Sequence, residues 1–196
     1  MTTQQQILKA LYKVIMLKGK LFPSLKDIKK NTHLVPANAI FYDINVVAND
    51  GTAIDLSKYK GKKIVIVNTA SNCGYTAQYD ELESLFTEYK NYVTVLAFPA
   101  NDFRNQETGS DASIAEFCRL NFGVRFPIMQ KCSVVKGRQQ HPVFKWLSHE
   151  SSNGWCNQAP IWNFCKYIID EEGRLTHFFS QNISPTSKQF IEALKC

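Results

Sequence analysis

Cys73 follows a β-branched apolar run, residues 64–69, and stands with Ser71, Asn72, Gly74, Tyr75 and Thr76 in a short polar segment. The run reads as a buried strand, the polar segment as a turn, and residues 78–90 as the helix that follows. A thiol at a strand-to-helix turn lies near the first helical N–H groups and the positive end of the helix dipole. That placement favours thiolate, the nucleophilic form of cysteine. The competing reading is a buried structural cysteine; exposure at the turn favours the reactive one.

The elements that would position Cys73 alternate along the chain. Residues 41–47 and 52–56 read as strands of an N-terminal hairpin across Asn49-Asp50-Gly51. Residues 64–69, the helix after Cys73 and residues 93–98 form a βαβ unit, hence two parallel strands. A helix over 111–121 is capped by Ser110 or Asp111, a strand lies near 128–134, and a helix covers 142–148. Residues 163–170 and 174–179 make a hairpin across Glu171-Glu172-Gly173, and Pro185 opens a last helix through Leu194. A central mixed sheet flanked by helices, with a reactive cysteine on a strand-to-helix turn, predicts an α/β domain of the thioredoxin-like fold.

Length and composition fit one domain with an appendage: 196 residues, 44% hydrophobic and 20% charged. Six cysteines are too few for a disulfide scaffold, and they lack the close pairing of a zinc site. Scattered thiols fit a reducing compartment, and the expected location is cytoplasmic. No apolar run is long enough to span a membrane. Nor do the histidines stand at metal-binding spacing, and no phosphate-cradling glycine loop is present, so neither metal nor nucleotide cofactor is expected.

The net charge of +6 belongs entirely to the start of the chain. Residues 1–31 hold seven lysines against Asp27, and the remainder is neutral, with no basic patch for nucleic acid on the body. Residues 1–38 therefore read as a basic extension to a domain over 39–196. Ile7, Leu8, Leu11, Val14 and Ile15 fall on one helical face with Lys9 and Lys13 opposite, and Lys18-Gly19 is the expected end. Such a helix either docks on the body or serves as a membrane-surface or organelle-targeting segment; its lysines break any secretory apolar core.

Four ordered segments then give the chain a family likeness. These are Val67-Asn68-Thr69-Ala70-Ser71-Asn72-Cys73-Gly74-Tyr75-Thr76, residues 96–103 continuing to Gln106-Glu107-Thr108-Gly109, Phe126-Pro127-Ile128, and Trp162-Asn163-Phe164 with Lys166 and Asp170. Together they resemble a glutathione peroxidase in its cysteine rather than selenocysteine form. The resemblance implies that Cys73 is the peroxidatic residue and that Gln106, Trp162 and Asn163 complete a tetrad around it. Side-chain amides and an indole N–H can hold a thiolate and meet charge on a departing oxygen without titrating.

The segment around Cys118 resembles the one that carries the resolving cysteine in thioredoxin-dependent members. Cys118 would then attack a sulfenic acid on Cys73, and thioredoxin, or less readily glutathione, would reduce the disulfide. Ile114, Phe117, Cys118 and Asn121 share a helical stripe, so Cys118 is also a candidate core residue whose helix must shift before it can react. Cys156, expected on an exposed loop, is the alternative resolving thiol. The substrates implied are hydrogen peroxide and organic, including lipid, hydroperoxides, and no cofactor is called for. A peroxide sensor that relays a disulfide to a partner protein is the second reading. Ala100, Asp102, Thr108 and Thr69 depart from the family pattern. The short stretch over 143–161 lacks the oligomerisation loop of tetrameric animal enzymes, which predicts a monomer.

Overall fold

The computed structural model describes residues 1–21 and 27–195. Lys26 and Cys196 lie outside the described residues, as do the side chains of Lys13, Ile15, Lys18 and Lys20. The elements run α1 (Thr3–Leu21), β1 (Ile28–Lys30), β2 (Val46–Val47), β3 (Ala53–Ile54), β4 (Lys63–Thr69), α2 (Gln78–Tyr89) and β5 (Val93–Pro99). They continue with α3 (Asp111–Phe122), α4 (Pro142–Leu147), α5 (Glu150–Asn153), β6 (Lys166–Ile169), β7 (Leu175–Phe179) and α6 (Lys188–Lys195).

β4 is buried along its whole length because both of its faces are covered. Val65 and Val67 point to one side, into a core completed by Val95 and Ala97 and by α2, α3 and α6. Ile64 and Ile66 point to the other, against Leu96, Phe98, Phe144 and Leu147. β4 pairs parallel with β5 through the α2 crossover and antiparallel with β6, in the order β1-β7-β6-β4-β5. The result is a mixed sheet flanked by helices, the α/β architecture of the thioredoxin fold. Cys73 and Cys118 both lie on the α2/α3 side of this sheet.

Several local expectations give way to tertiary contacts. Residues 41–43 form a single 3-10 turn, not a strand, because Phe41 is pulled inward against Trp146 at 5.0 Å between ring centroids. Only Val46–Val47 and Ala53–Ile54 then pair as the hairpin. Residues 128–134 form isolated bridges instead of a strand. Met129 N–H donates to Ala97 O at 2.8 Å and Gln130 N–H to Val47 O at 3.0 Å, so the backbone is satisfied by neighbours on two sides without a ladder. β6 starts at Lys166, since Phe164 takes a positive φ of 68°. The final helix begins at Lys188, three residues after Pro185.

The basic N-terminal segment supplies two elements. β1 is an edge strand on β7, with Ile28 opposite Phe179. α1 runs past Lys18-Gly19 to Leu21. It docks by a face other than the expected apolar one: Gln5, Tyr12 and Met16 are buried, with half-buried Lys9 between them. Ile7, Leu11 and Val14 face outward, 47–63% exposed. Polar anchoring decides the face here, because Tyr12 and Lys9 find acidic partners on α2: Tyr12 O–H donates to Glu81 at 3.0 Å, and Lys9 pairs with Asp80 at 2.8 Å. Among the described residues no helix is long and apolar enough to cross a membrane.

Candidate active site around Cys73

Residue 73 sits at the first of a series of tight turns that wind into α2. Cys73 O accepts from Thr76 N–H at 3.2 Å, and Tyr75 O from Gln78 N–H at 2.9 Å. The winding turns the Gly74 and Tyr75 N–H groups back toward the Cys73 sulfur. Contrary to the expected exposure at the turn, Cys73 is fully buried. Burial pushes its thiol up from the ordinary value. The Tyr75 N–H, the Trp162 indole, the Asn163 amide and the Gly74 N–H oppose that push by donating toward sulfur. The thiolate therefore depends on these donors rather than on solvent or the helix dipole alone.

Gln106 arrives from the loop after β5, and Trp162 and Asn163 from the loop before β6. Asn163 Nδ2 donates to Gln106 Oε1 at 2.9 Å, which joins the two loops, while Asn163 Oδ1 is buried without a partner. The Trp162 ring is held between Phe103, 5.6 Å between centroids, and the Arg104 guanidinium, 5.6 Å from its centroid. Arg104 and Asn105 adopt φ of 54° and 52° immediately before Gln106, a left-handed bend that non-glycine residues seldom take.

The side chains that hold this arrangement were not singled out by sequence reasoning. Asn68, at the buried end of β4, donates through Nδ2 to Trp162 O at 3.0 Å and accepts at Oδ1 from Cys165 N–H at 3.0 Å. Both ends of one amide thus fix the Trp162-Asn163 loop against the strand that leads to Cys73. Glu107 does the same for the Gln106 loop: its Oε2 accepts from Ser71 N–H at 2.8 Å and Ser71 Oγ at 2.9 Å. Asn72 N–H donates to Gln106 O at 3.0 Å. Position within the quoted motifs was the only available signal, since burial of a carboxylate cannot be read from spacing. Asp102 accepts from Ser133 Oγ at 2.9 Å and Val134 N–H at 2.8 Å, which gives that departure a structural role. Nothing in the structure explains Thr108.

Glu107 makes a test of this scaffold. Burial raises its carboxyl to about 7, opposed by the Ser71 hydrogen bonds and by Lys131. Between about pH 4.5 and 7 the native state keeps a proton that the unfolded chain has released. Stability from this group is thus complete at acid pH, falls as pH rises through that window and levels out above it. Glu107→Gln removes the titration, so the variant should gain on wild type by about 3 kcal/mol between pH 4.5 and 8. Urea unfolding across that range checks it; parallel pH profiles for the two proteins would refute the assignment.

Cys118 is buried on α3 facing the Tyr79 hydroxyl, and burial pushes its thiol up to about 12. The buried Tyr79 hydroxyl lies beside both Cys118 and Thr69. Cys156 is buried rather than exposed, its loop being closed by Asn153 Oδ1, which accepts from Cys156 N–H at 2.7 Å. It packs in the core on the other side of the sheet from Cys73. All five described cysteines are free thiols.

Comparison with known proteins decides the family. The sequence profile described as glutathione peroxidase matches residues 41–148. The chain belongs to the glutathione peroxidase family. It is 40% identical over 146 residues to a glutathione peroxidase of Lactococcus lactis, covering 74% of this chain and 92% of that one. It is 42% identical over 156 residues to the glutathione peroxidase-like peroxiredoxin HYR1 of Saccharomyces cerevisiae, covering 79% and 95%. Among solved structures, Trgpx in its apo form is 33% identical with a TM-score of 0.61, covering 82% of this chain and 98% of that one. A DsbF homologue from Corynebacterium diphtheriae, 16% identical with a TM-score of 0.60 and covering 89% and 95%, shares the fold. As a member of the glutathione peroxidase family the chain is a thiol peroxidase.

Proposed function

We propose that Cys73 reduces hydrogen peroxide and organic hydroperoxides, that Cys118 resolves the product, and that thioredoxin is the reductant. The observation that carries this reading is the buried Cys73 at a turn joined to the Gln106 loop by Asn72 N–H, with Asn163 bonded to Gln106 beside it and the Tyr75, Gly74, Trp162 and Asn163 donors acting on its sulfur. The Cys73 thiolate attacks the distal peroxide oxygen and the O–O bond breaks. Cys73 becomes a sulfenic acid, and the alkoxide leaves as alcohol with the thiol proton. Donors that held the thiolate then stand beside the departing oxygen, with the Gln106 carbonyl orienting the Asn163 amide. Cys118 thiol next attacks the sulfenic acid; the S–S bond forms and water leaves with the Cys118 proton. The location of both cysteines on one face of the sheet supports this second step.

The protein treated with one equivalent of hydrogen peroxide should yield a Cys73–Cys118 peptide on non-reducing mapping. It should then turn over with a thioredoxin system and NADPH far better than with glutathione. Equal rates with glutathione, or no such peptide, would sink the proposed cycle. A long-lived mixed disulfide with one partner protein, together with poor turnover, would instead favour the sensor reading.

A further inference from the structure

α1 lies outside the stretch matched to the family, residues 41–148, yet it touches both halves of the proposed redox pair. On the Cys73 side, Gln5 is buried, and its Nε2 donates to Asn72 Oδ1 at 2.9 Å and to Ser71 O at 3.3 Å. These are the two residues immediately before Cys73, and Asn72 is itself bonded to the backbone of Gln106. On the Cys118 side, the Lys9 ammonium sits 4.5 Å from the centroid of Phe122, the last residue of α3. The Met1 ammonium donates to Asn121 Oδ1 at 2.9 Å. The helix is anchored between these contacts on α2, through Lys9 to Asp80 and Tyr12 to Glu81, with Tyr12, Met16, Tyr75 and Ala77 packed together. One helix thus straps the peroxidatic loop, α2 and the end of α3.

Resolution requires that strap to yield. Cys118 is buried within α3, and neither it nor Cys73 is exposed in the reduced protein. A disulfide needs the two Cα atoms within about 7 Å and a reacting thiol free of its packing. Opening the loop and the end of α3 breaks the contacts made by Gln5 and Lys9. We propose that Gln5, supplied by α1, is a positioning residue that restrains the Cys73 loop and so slows Cys73–Cys118 disulfide formation. The sulfenic acid then persists long enough to meet a second hydroperoxide. In that branch Cys73–SOH takes one more oxygen to become a sulfinic acid, and the hydroperoxide leaves as its alcohol. This inference rests on the resolving role proposed for Cys118.

The test uses the full chain as wild type, Gln5→Ala and, as a control on the outward face of α1, Leu11→Ala. Each is mixed with one equivalent of hydrogen peroxide, quenched with acid at intervals, alkylated and mapped for the Cys73–Cys118 peptide. Loss of Cys73 thiol should proceed at the same rate in all three. Appearance of the linked peptide should be about fivefold faster in Gln5→Ala, the factor expected for losing about one net hydrogen bond in the closed state. Its sulfinic fraction under excess peroxide should fall by a similar factor, while Leu11→Ala behaves as wild type. A general loss of stability would also lower the urea midpoint; the restraint speeds the second step in Gln5→Ala while its midpoint stays at that of Leu11→Ala. Linked peptide appearing at the same rate, or more slowly, in Gln5→Ala overturns the restraint alone. Its absence from wild type and variants alike overturns the resolving role and the restraint together.

Discussion

Cys73→Ser should lose peroxide reduction by at least ~10³-fold, because the reaction needs a sulfur nucleophile that serine cannot replace. The substitution is close to isosteric, and the seat is fully buried, so the fold should survive. The expected pattern is therefore unchanged circular dichroism and unfolding midpoint, with no peroxide consumed in either single- or multiple-turnover assays. Burial raises the Cys73 thiol and four donors oppose that push only in part, so the charged form depends on those donors. Residual turnover in Cys73→Ser above about one part in a thousand would transfer the chemistry to another thiol.

Cys118→Ser should give a different defect, a single turnover without a cycle. Its thiol is pushed up to about 12 in the packed helix, so at pH 7 roughly one molecule in 10⁵ would carry thiolate there. In the proposed cycle, resolution by Cys118 follows release of α3 from its seat, where Tyr79 and the core around Ile114 and Phe122 hold it. The variant should oxidise Cys73 at the wild-type rate, then accumulate sulfenic and sulfinic acid, while thioredoxin-supported NADPH oxidation falls by at least ~10²-fold. Rapid-quench mass spectrometry of Cys73 separates the two steps. Sustained thioredoxin turnover in Cys118→Ser would assign resolution to another thiol or to an external one.

The chemistry-bearing residues of this protein were legible because they sit in ordered motifs with strong local signals. The β-branched run of β4, the turn at Cys73 and the α2 crossover follow from period and turn residues. The parallel pairing of β4 with β5 follows from the length of that crossover. The family likeness then placed Gln106, Trp162 and Asn163 with Cys73, and the Asn163–Gln106 bond shows two of these brought together. Local signals failed where long-range contacts set the outcome. Phe41 turned a strand into a 3-10 helix by packing on Trp146, and residues 128–134 were stitched to β5 and β2 by single bridges.

Tertiary structure alone decided the environment of the site. Sequence placed Cys73 at an exposed turn, whereas the fold buries it, so its thiolate depends on donors that converge from distant loops. It also decided that Asn68 and Glu107 lock those loops, and that Cys156 is closed off. Hydrophobic period picked the Ile7/Leu11/Val14 face of α1 as the one to bury. The helix instead turned Gln5, Tyr12 and Met16 inward, because Asp80, Glu81 and the Asn72 amide offer partners from elsewhere in the chain. Residue types and spacing fix which groups can do chemistry, but desolvation and hydrogen-bond partners set how they ionise and move. Those depend on neighbours tens of residues away that no local pattern records.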